Sequence, residues 1–529
     1  MSFLKKNKSS IIFFTFLLLA LFALFRFTGA FVKGYNIVED HALVDTNNEI
    51  DSVSITGAYE KMMELDVSGF KRFRPVWAMY VVGMVALLSV DLLLISLFVF
   101  LIFVFTSFFL YRFCVNIGFS TLQAAAFAIL TILGPQTVLW IRPIDAEIIG
   151  MFFLSMSLYF LSKAVTSYTG TKVYKSFFII SIVFTGLCKE SFLLFVPAII
   201  VVYILSYSRI HSKKLIQSLK ENMLIVVLSV VYTIAVLVIL ISLVGTSQHR
   251  YAGVEAGLFG GKTLLDFYSI VLSENLFVLV LIGLFFIIES ELQYFTLSSD
   301  YMKERLKDIS LVFLLMLVAV VPQFILYYKT GFVERYYLPY LLGFTFVFIF
   351  VFRALIESSY VHKIVKYLYS LAVLAFVVIV LLSKVIPSYK TFSNSCSNTM
   401  NAIRTIENSK VKELLVVLDP VTQSHFGASL KSYLDYLGVN LKYKFDFAYV
   451  DKRRDLFADS STVNLFTRYS RWKYEKSLID STKGDSSIRG VLLFHSIEDY
   501  FLKKNSSWFD QSKYARKKFG WNYVLYIKE

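Results

Sequence analysis

Residues 76–111 read VWAMYVVGMVALLSVDLLLISLFVFLIFVFTSFFLY, with Asp91 as the only charge. A helix that crosses a bilayer needs about 20 predominantly apolar residues. This stretch is long enough for one, and it sets the class of the chain. The whole sequence has the same character: 529 residues, 57% hydrophobic and 17% charged, with 52 Phe and 33 Tyr. A soluble protein of this length carries more charge and shorter apolar runs. The net charge of +15 suggests nucleic acid in a soluble chain. Here the basic residues flank apolar runs, so membrane topology and anionic headgroups account for them and no nucleic-acid partner is expected.

Working outward gives candidate spans at 11–31, 92–112, 118–139, 147–162, 174–188, 191–208, 222–244, 275–289, 309–327, 337–352 and 368–386. The first follows Lys5, Lys6 and Lys8 but lacks a small-x-small cleavage site, so it reads as an uncleaved helix rather than a signal peptide. Segment 76–90 is either a span or an interfacial helix, and the charges favour the second. With the N-terminus in the cytoplasm and 76–90 not counted, the inner connections hold Arg112; Lys163 and Lys172; Arg209, Lys213, Lys214 and Lys220; Lys303, Arg305 and Lys307; and Arg353, Lys363 and Lys366. Every one is basic, as the positive-inside rule requires. The expectation is a multi-pass cell-membrane protein of about eleven transmembrane helices. Its transmembrane domain covers 1–390, with outer segments at 32–74 and 245–274.

After Pro387 the composition turns charged and mixed. Leu414–Leu418 reads as a strand, 424–437 as a helix, and 441–450, 490–495 and 522–527 as strands. Residues 391–529 are therefore expected to form a small α/β domain outside the cytoplasm. Cys114, Cys188 and Cys396 form no metal or disulfide pattern.

This topology puts several polar clusters on the outer side: Glu39-Asp40-His41, Arg72 to Pro75, Arg142-Pro143-Ile144-Asp145-Ala146-Glu147, Lys189-Glu190 and Glu334-Arg335-Tyr336-Tyr337. Charge at bilayer depth is costly unless paired or hydrated. A carboxylate at the outer surface can take a proton from an acceptor hydroxyl, a contribution of ~10²–10⁴-fold. His41 can orient that carboxylate or take the proton itself; the plain alternative is a solvated polar loop. Arg142, Lys189 and Arg335 suit the charge that develops on a phosphate leaving group. Asp145 and Glu147 follow Arg142 closely and suit orienting it or the substrate; snorkelling of the cations at helix ends is the plain alternative. His249 and Arg250 lie in an outer segment with Gly253, Gly257, Gly260 and Gly261. That segment suits either a cover over a site or a simple connector.

Four elements, in order, carry a family resemblance: Glu39-Asp40-His41 after the first helix; Phe73-Arg74-Pro75-Val76; Cys188-Lys189-Glu190-Ser191-Phe192 with Pro197; and Glu334-Arg335-Tyr336-Tyr337-Leu338-Pro339. Over most of residues 10–385 the arrangement resembles the GT-C superfamily of integral membrane glycosyltransferases, which includes protein O-mannosyltransferases and the aminoarabinose transferases of lipid A. The resemblance implies a sugar donor linked to a polyprenyl phosphate, used at the outer face, and a glycan, lipid or protein acceptor. It also implies a divalent metal (Mg or Mn) in some branches and none in others. The family places its acidic residue in the first outer loop, usually as Asp-Glu or DxD; here the order is Glu39-Asp40. Asp40 is the favoured base, ahead of Asp45, with Glu39 and His41 beside it. Arg142, Lys189 and Arg335 take the donor phosphate, and Arg74, Glu190, Glu334 and Tyr336 support them.

Overall fold

The computed structural model describes residues 2–36, 40–69, 72–167, 170–244, 275–293, 337–359, 361–409, 411–418, 424–439, 441–447, 488–506 and 508–528. The expected sites at Glu39, His249, Arg250, Glu334, Arg335 and Tyr336, and the expected span 309–327, lie outside them. The chain is a polytopic α-helical membrane protein. It divides into two compact units, one of residues 1–24, 66–80 and 97–388, the other of 25–65, 81–96 and 389–529.

The first unit is helical. α1 (Ser2–Thr28), α4 (Pro75–Leu88) and α5 (Leu92–Asn116) contribute parts to it. α2 (His41–Ser52) and α3 (Ile55–Glu64) belong to the other unit. The first unit then continues through α6 (Thr121–Ile132), α7 (Ala146–Thr166), α8 (Thr171–Cys188), α9 (Glu190–Leu193), α10 (Phe195–Ile210), α11 (Leu215–Glu221), α12 (Met223–Val244), α13 (Asn275–Gln293) and α14 (Tyr337–Glu357). Aromatic rings fill the joints: Phe13 stacks on Tyr111 at 4.0 Å and Phe103 on Trp140 at 4.5 Å.

Seven of the described helices are long and apolar enough to cross a membrane, not the eleven expected. One difference has a clear cause. The expected span 118–139 is a 12-residue α6 followed by a tight 3₁₀ stretch, Pro135–Ile141. A proline has no N–H to give to an α-helix, so the α-helix does not run through Pro135. α4 has 14 residues, or about 21 Å of helix. That is short of the roughly 30 Å of a hydrocarbon core.

A last long helix runs from Lys363 to Glu407. It comprises α15 (Lys363–Val380), a π-helical turn at Leu381–Val385 and α16 (Ile386–Glu407). Pro387 does not end it, although the composition changes there. The widened turn lies at the position where a proline ring would strike the carbonyl four residues earlier.

The second unit holds a five-stranded sheet in the order β2-β1-β3-β5-β4. Its strands are β1 (Glu413–Leu418), β2 (Lys442–Phe447), β3 (Gly490–Phe494), β4 (Tyr514–Phe519) and β5 (Tyr523–Lys528). β1 pairs in parallel with β2 and β3, and β5 pairs antiparallel with β3 and β4. β4, the strand the sequence pattern misses, reads Tyr-Ala-Arg-Lys-Lys-Phe and is largely exposed at the edge, so no alternation marks it. Leu415, Val417, Val491, Leu493, Val524 and Tyr526 pack on one face with Ile497, Phe501 and Phe509. Leu414, Val416 and Leu418 are also buried, so both faces of β1 are covered. α17 (Ser424–Tyr436) joins β1 to β2, and α18 (Glu498–Lys504) follows β3.

At the start of α18, Glu498 accepts from Arg516 Nε at 2.7 Å and Nη2 at 2.9 Å, from Tyr526 Oη at 2.5 Å, and lies 3.0 Å from His495 Nδ1. Burial works to raise the pKa of this carboxyl, but the hydrogen bonds from Arg516, Tyr526 and His495 outweigh it and pull Glu498 from 4.5 to about 2. A depressed carboxyl stabilises the fold fully above its unfolded value, and the effect fades as pH falls toward the folded one. Glu498→Gln should therefore loosen β4 and β5 at pH 7 by about 1 kcal/mol, because the Arg516 side chain is 38% exposed and water screens the pair. The difference should vanish between pH 4.5 and 2. Hydrogen–deuterium exchange of β4 and β5 in the detergent-solubilised chain measures both.

Candidate functional site

The first unit contains a connected group of charges (Arg74, Asp66, Lys189, Glu147, Glu190, Arg142 and Asp145), and three segments distant in sequence build it. Asp66 lies in the π-helical turn Leu65–Gly69, whose carbonyl at Asp66 accepts from Arg72 N at 2.8 Å. That loop returns the chain so that Arg74 Nε donates to both Asp66 oxygens, at 3.2 and 3.0 Å, while Nη2 pairs with Oδ1. Both residues are buried, and the Arg74 guanidinium lies 4.0 Å from the Trp77 ring centroid one turn later.

The second segment is the turn before α7. Trp77 Nε1 donates to the Ile144 carbonyl at 2.6 Å and Tyr80 Oη to the Pro143 carbonyl at 2.9 Å. These bonds hold Arg142-Pro143-Ile144-Asp145 against α4. Arg142 Nε lies 3.1 Å from Asp145 Oδ2. The third segment is the break between α8 and α9. Lys189 is extended there, and its ammonium pairs with Glu147 Oε1 in the first turn of α7. Glu190 Oε1 accepts from Phe73 N at 3.3 Å, joining the Lys-Glu segment to the Arg-Pro segment across 117 positions.

Electrostatics follow the same grouping. Burial works to lower the Arg74 pKa, but Asp66 more than offsets this, and Glu190 and Glu147 add to the rise. Arg74 is thus a fixed cation in a field set by three carboxylates. Lys189 and Arg142, expected to hold a phosphate, are themselves ion-paired, with side chains 12% and 19% exposed. An incoming anion would share them with Glu147 and Asp145.

The fit at Lys189 depends on Gly150, one turn beyond Glu147. A Cβ there would lie 2.6 Å from the ring of Phe192, which is fully buried. Only glycine lets α7 approach α9 this closely.

Asp40 and His41 belong to the second unit. Asp40 is buried, and its Oδ2 accepts from Asn36 N at 2.8 Å. Although it occupies the N-cap of α2, its side chain makes no cap bond there. His41 Nδ1 lies 2.8 Å from Ser429 Oγ, and Asp45 Oδ1 accepts from Ser432 Oγ at 3.0 Å; both serines are on α17. Tyr433 Oη donates to the Asn36 carbonyl at 2.9 Å, and its ring stacks on Tyr35 at 4.0 Å. Burial pushes the Tyr433 phenol well up, with Asp40 adding to it, so it stays a neutral donor. Asn36 and the start of α2 are thereby stitched to α17.

Sequence reasoning missed Asp66, one acid among Glu60, Glu64 and Asp66 with nothing to single it out. It also missed Gln136. That side chain is buried in the 3₁₀ stretch, and neither amide atom has a hydrogen-bond partner among the described residues. Among the described residues no three His, Cys, Asp or Glu side chains are placed to hold a metal ion, so none is assigned to one.

No protein-family model and no curated protein matches the chain. Among solved structures it is similar to ArnT from Cupriavidus metallidurans. The structure bound to undecaprenyl phosphate has 10% sequence identity and a TM-score of 0.47, with 98% of this chain and 97% of that chain covered. The apo structure has 11% identity and a TM-score of 0.46, with the same coverage. At such identity the likeness transfers no residue role.

Two substitutions test the architecture of the cluster. Asp66→Ala leaves Arg74 buried without its carboxylate and should cost about 3–5 kcal/mol, whereas Asp66→Ala with Arg74→Met should recover most of it. Thermal unfolding in detergent measures this cycle. Gly150→Leu should displace Phe192 and separate Lys189 from Glu147, lowering the unfolding temperature more than Gly83→Leu, where the added side chain meets open space.

Proposed function

We propose that this chain transfers a sugar from a polyprenyl-phosphate-linked donor to an acceptor hydroxyl at the outer face of the membrane, as a GT-C-type glycosyltransferase. The observation that carries this reading is the joining of two motif segments, Phe73-Arg74-Pro75 and Lys189-Glu190, in one buried charged cluster of a membrane helical unit. Both segments resemble GT-C elements in sequence. Intramembrane charge that is costly to bury is retained mainly where it meets a polar or charged substrate.

In this reading Lys189 and Arg142 stabilise the negative charge that grows on the departing phosphate. Glu147 and Asp145 hold them in place until the donor arrives. Arg335, Glu334 and Tyr336 are proposed for the same donor on sequence grounds, as are His249 and Arg250 for a cover. The acceptor oxygen loses its proton to Asp40, with Glu39 or His41 assisting, and attacks the anomeric carbon. The bond from that carbon to the phosphate oxygen breaks, and polyprenyl phosphate leaves. Arg74, locked between Asp66 and Trp77, positions the segment rather than contacting the donor. The N-terminus is cytoplasmic and the sheet-bearing unit lies outside.

Purified chain supplied with a polyprenyl-phosphate sugar and membrane glycolipid acceptor should form glycosylated product. Lys189→Ala and Asp40→Asn should each lower the rate about 10²–10³-fold, the order lost with one charge-stabilising or proton-transferring group, with membrane insertion intact. Undiminished transfer by Asp40→Asn would remove it as the base. Passage of intact donor across a vesicle without any transfer would identify a transporter instead.

A further inference from the structure

The connection between α10 and α12 carries an interaction surface of its own. We infer that α11 lies along the membrane surface and gathers anionic phospholipid there, with its apolar face among the acyl chains and its lysines on the headgroups. The inference does not rest on the transfer reading.

Three observations carry it. The first is place. The membrane span Glu190–Ile210 ends with α10, and the span Met223–Leu243 begins with α12. Only residues 211–222 join the two, so the connection stays close to the bilayer. α11 has seven residues, or about 10 Å of helix. Two packed helices are about 8–10 Å apart, and α10 packs on α12. A helix of this length bridges their ends by lying flat between them.

The second is pattern. At about 100° per residue, Leu215, Ile216 and Leu219 share one face of α11. All three are exposed, Ile216 to 70%. Ser218, beside that face, is buried, and Glu221 points to the opposite side. Ile210 and Met223, at the adjoining span ends, are exposed as well. An amphipathic helix with its apolar face turned outward at this depth matches an in-plane interfacial helix.

The third is charge. Residues 211–222 hold three lysines and one acid. That acid, Glu221, accepts from Lys213 Nζ at 2.5 Å, from Tyr207 Oη at 2.9 Å and from Gln217 Nε2 at 3.2 Å. Lys214 and Lys220 are exposed at the two ends of the helix. Cations beside an apolar face complement an anionic headgroup, whereas a zwitterionic one offers them no net charge. The surface is also preformed. Buried Asn222 accepts from Lys175 Nζ at 3.1 Å and Tyr203 Oη at 2.7 Å, and donates to the Ser218 carbonyl at 2.9 Å. These bonds pin the end of α11 to α8 and α10.

The test uses the full chain in lipid nanodiscs. The native cysteines are buried, so a bimane fluorophore attached to the Ile216→Cys variant reports from α11. Brominated lipids quench it on contact. In discs of a single lipid, brominated phosphatidylglycerol and brominated phosphatidylcholine should both quench. In mixed discs, the phosphatidylglycerol should quench preferentially. Lys214→Gln and Lys220→Gln should each cut that preference about fivefold, the order for one lysine near an anionic surface, with single-lipid quenching intact. The equal charge change at Lys513→Gln with Lys517→Gln should leave the preference unchanged. A label that neither lipid quenches would mean that the face meets water or protein instead. Equal quenching by the two lipids in mixed discs would mean that the lysines select no headgroup. Either result would overturn the inference.

Discussion

The architecture of the charged cluster depends on one electrostatic constraint: a guanidinium taken out of water must be met by carboxylate. Arg74 and Asp66 satisfy it, and in doing so they fix the path of the chain into α4. Removing ions of this size from water costs several kcal/mol each, which a well-made pair recovers only when the remaining donors are also used. Here the second side of the guanidinium lies against Trp77, and Trp77 in turn bonds the turn before α7. A chain of polar contacts thus runs from the loop after α3 to the start of α7, and through Glu147 to Lys189. Each member is positioned by the next, so the cluster is held rigidly in an otherwise apolar unit.

Rigidity has a chemical use. Fixed charges stabilise developing charge without reorganising at the moment of reaction. The ion pairs also bear on substrate binding, because Lys189 and Arg142 each carry a carboxylate partner before any substrate arrives. In the proposed reading, a donor phosphate would exchange one anionic partner for another, which would limit the gain from binding and preserve interaction strength for the transition state.

The second unit follows different physics. Its sheet is held by apolar burial on both faces of β1, and Glu498 ties β4 to α18 through Arg516. Asn36, His41 and Asp45 are tied to α17 through polar contacts from Tyr433, Ser429 and Ser432, and Asp40 accepts from Asn36 N. Asp40 therefore has a structural role in shaping this segment, whatever chemistry it also performs.

The sequence by itself determined the membrane class, because an apolar run such as 92–111 has no stable home in water. It also placed β1, α17, β3 and β5 closely, since short apolar runs bounded by polar and turn residues mark strands and the helical stretch between them. It named Arg74, Arg142, Asp145, Glu147, Lys189 and Glu190 as polar positions in an apolar chain, and the structure joins them in one cluster. It could not supply Asp66, β4 or the continuation of the last helix beyond Pro387. Those depend on a loop that folds back, a neighbouring strand, and a widened turn that leaves room for a proline ring. Only the tertiary structure decided which carboxylate answers which cation, because Coulomb attraction depends on distance in space. Residues 73 and 190, 117 positions apart, are joined by a hydrogen bond that only the folded chain brings within reach.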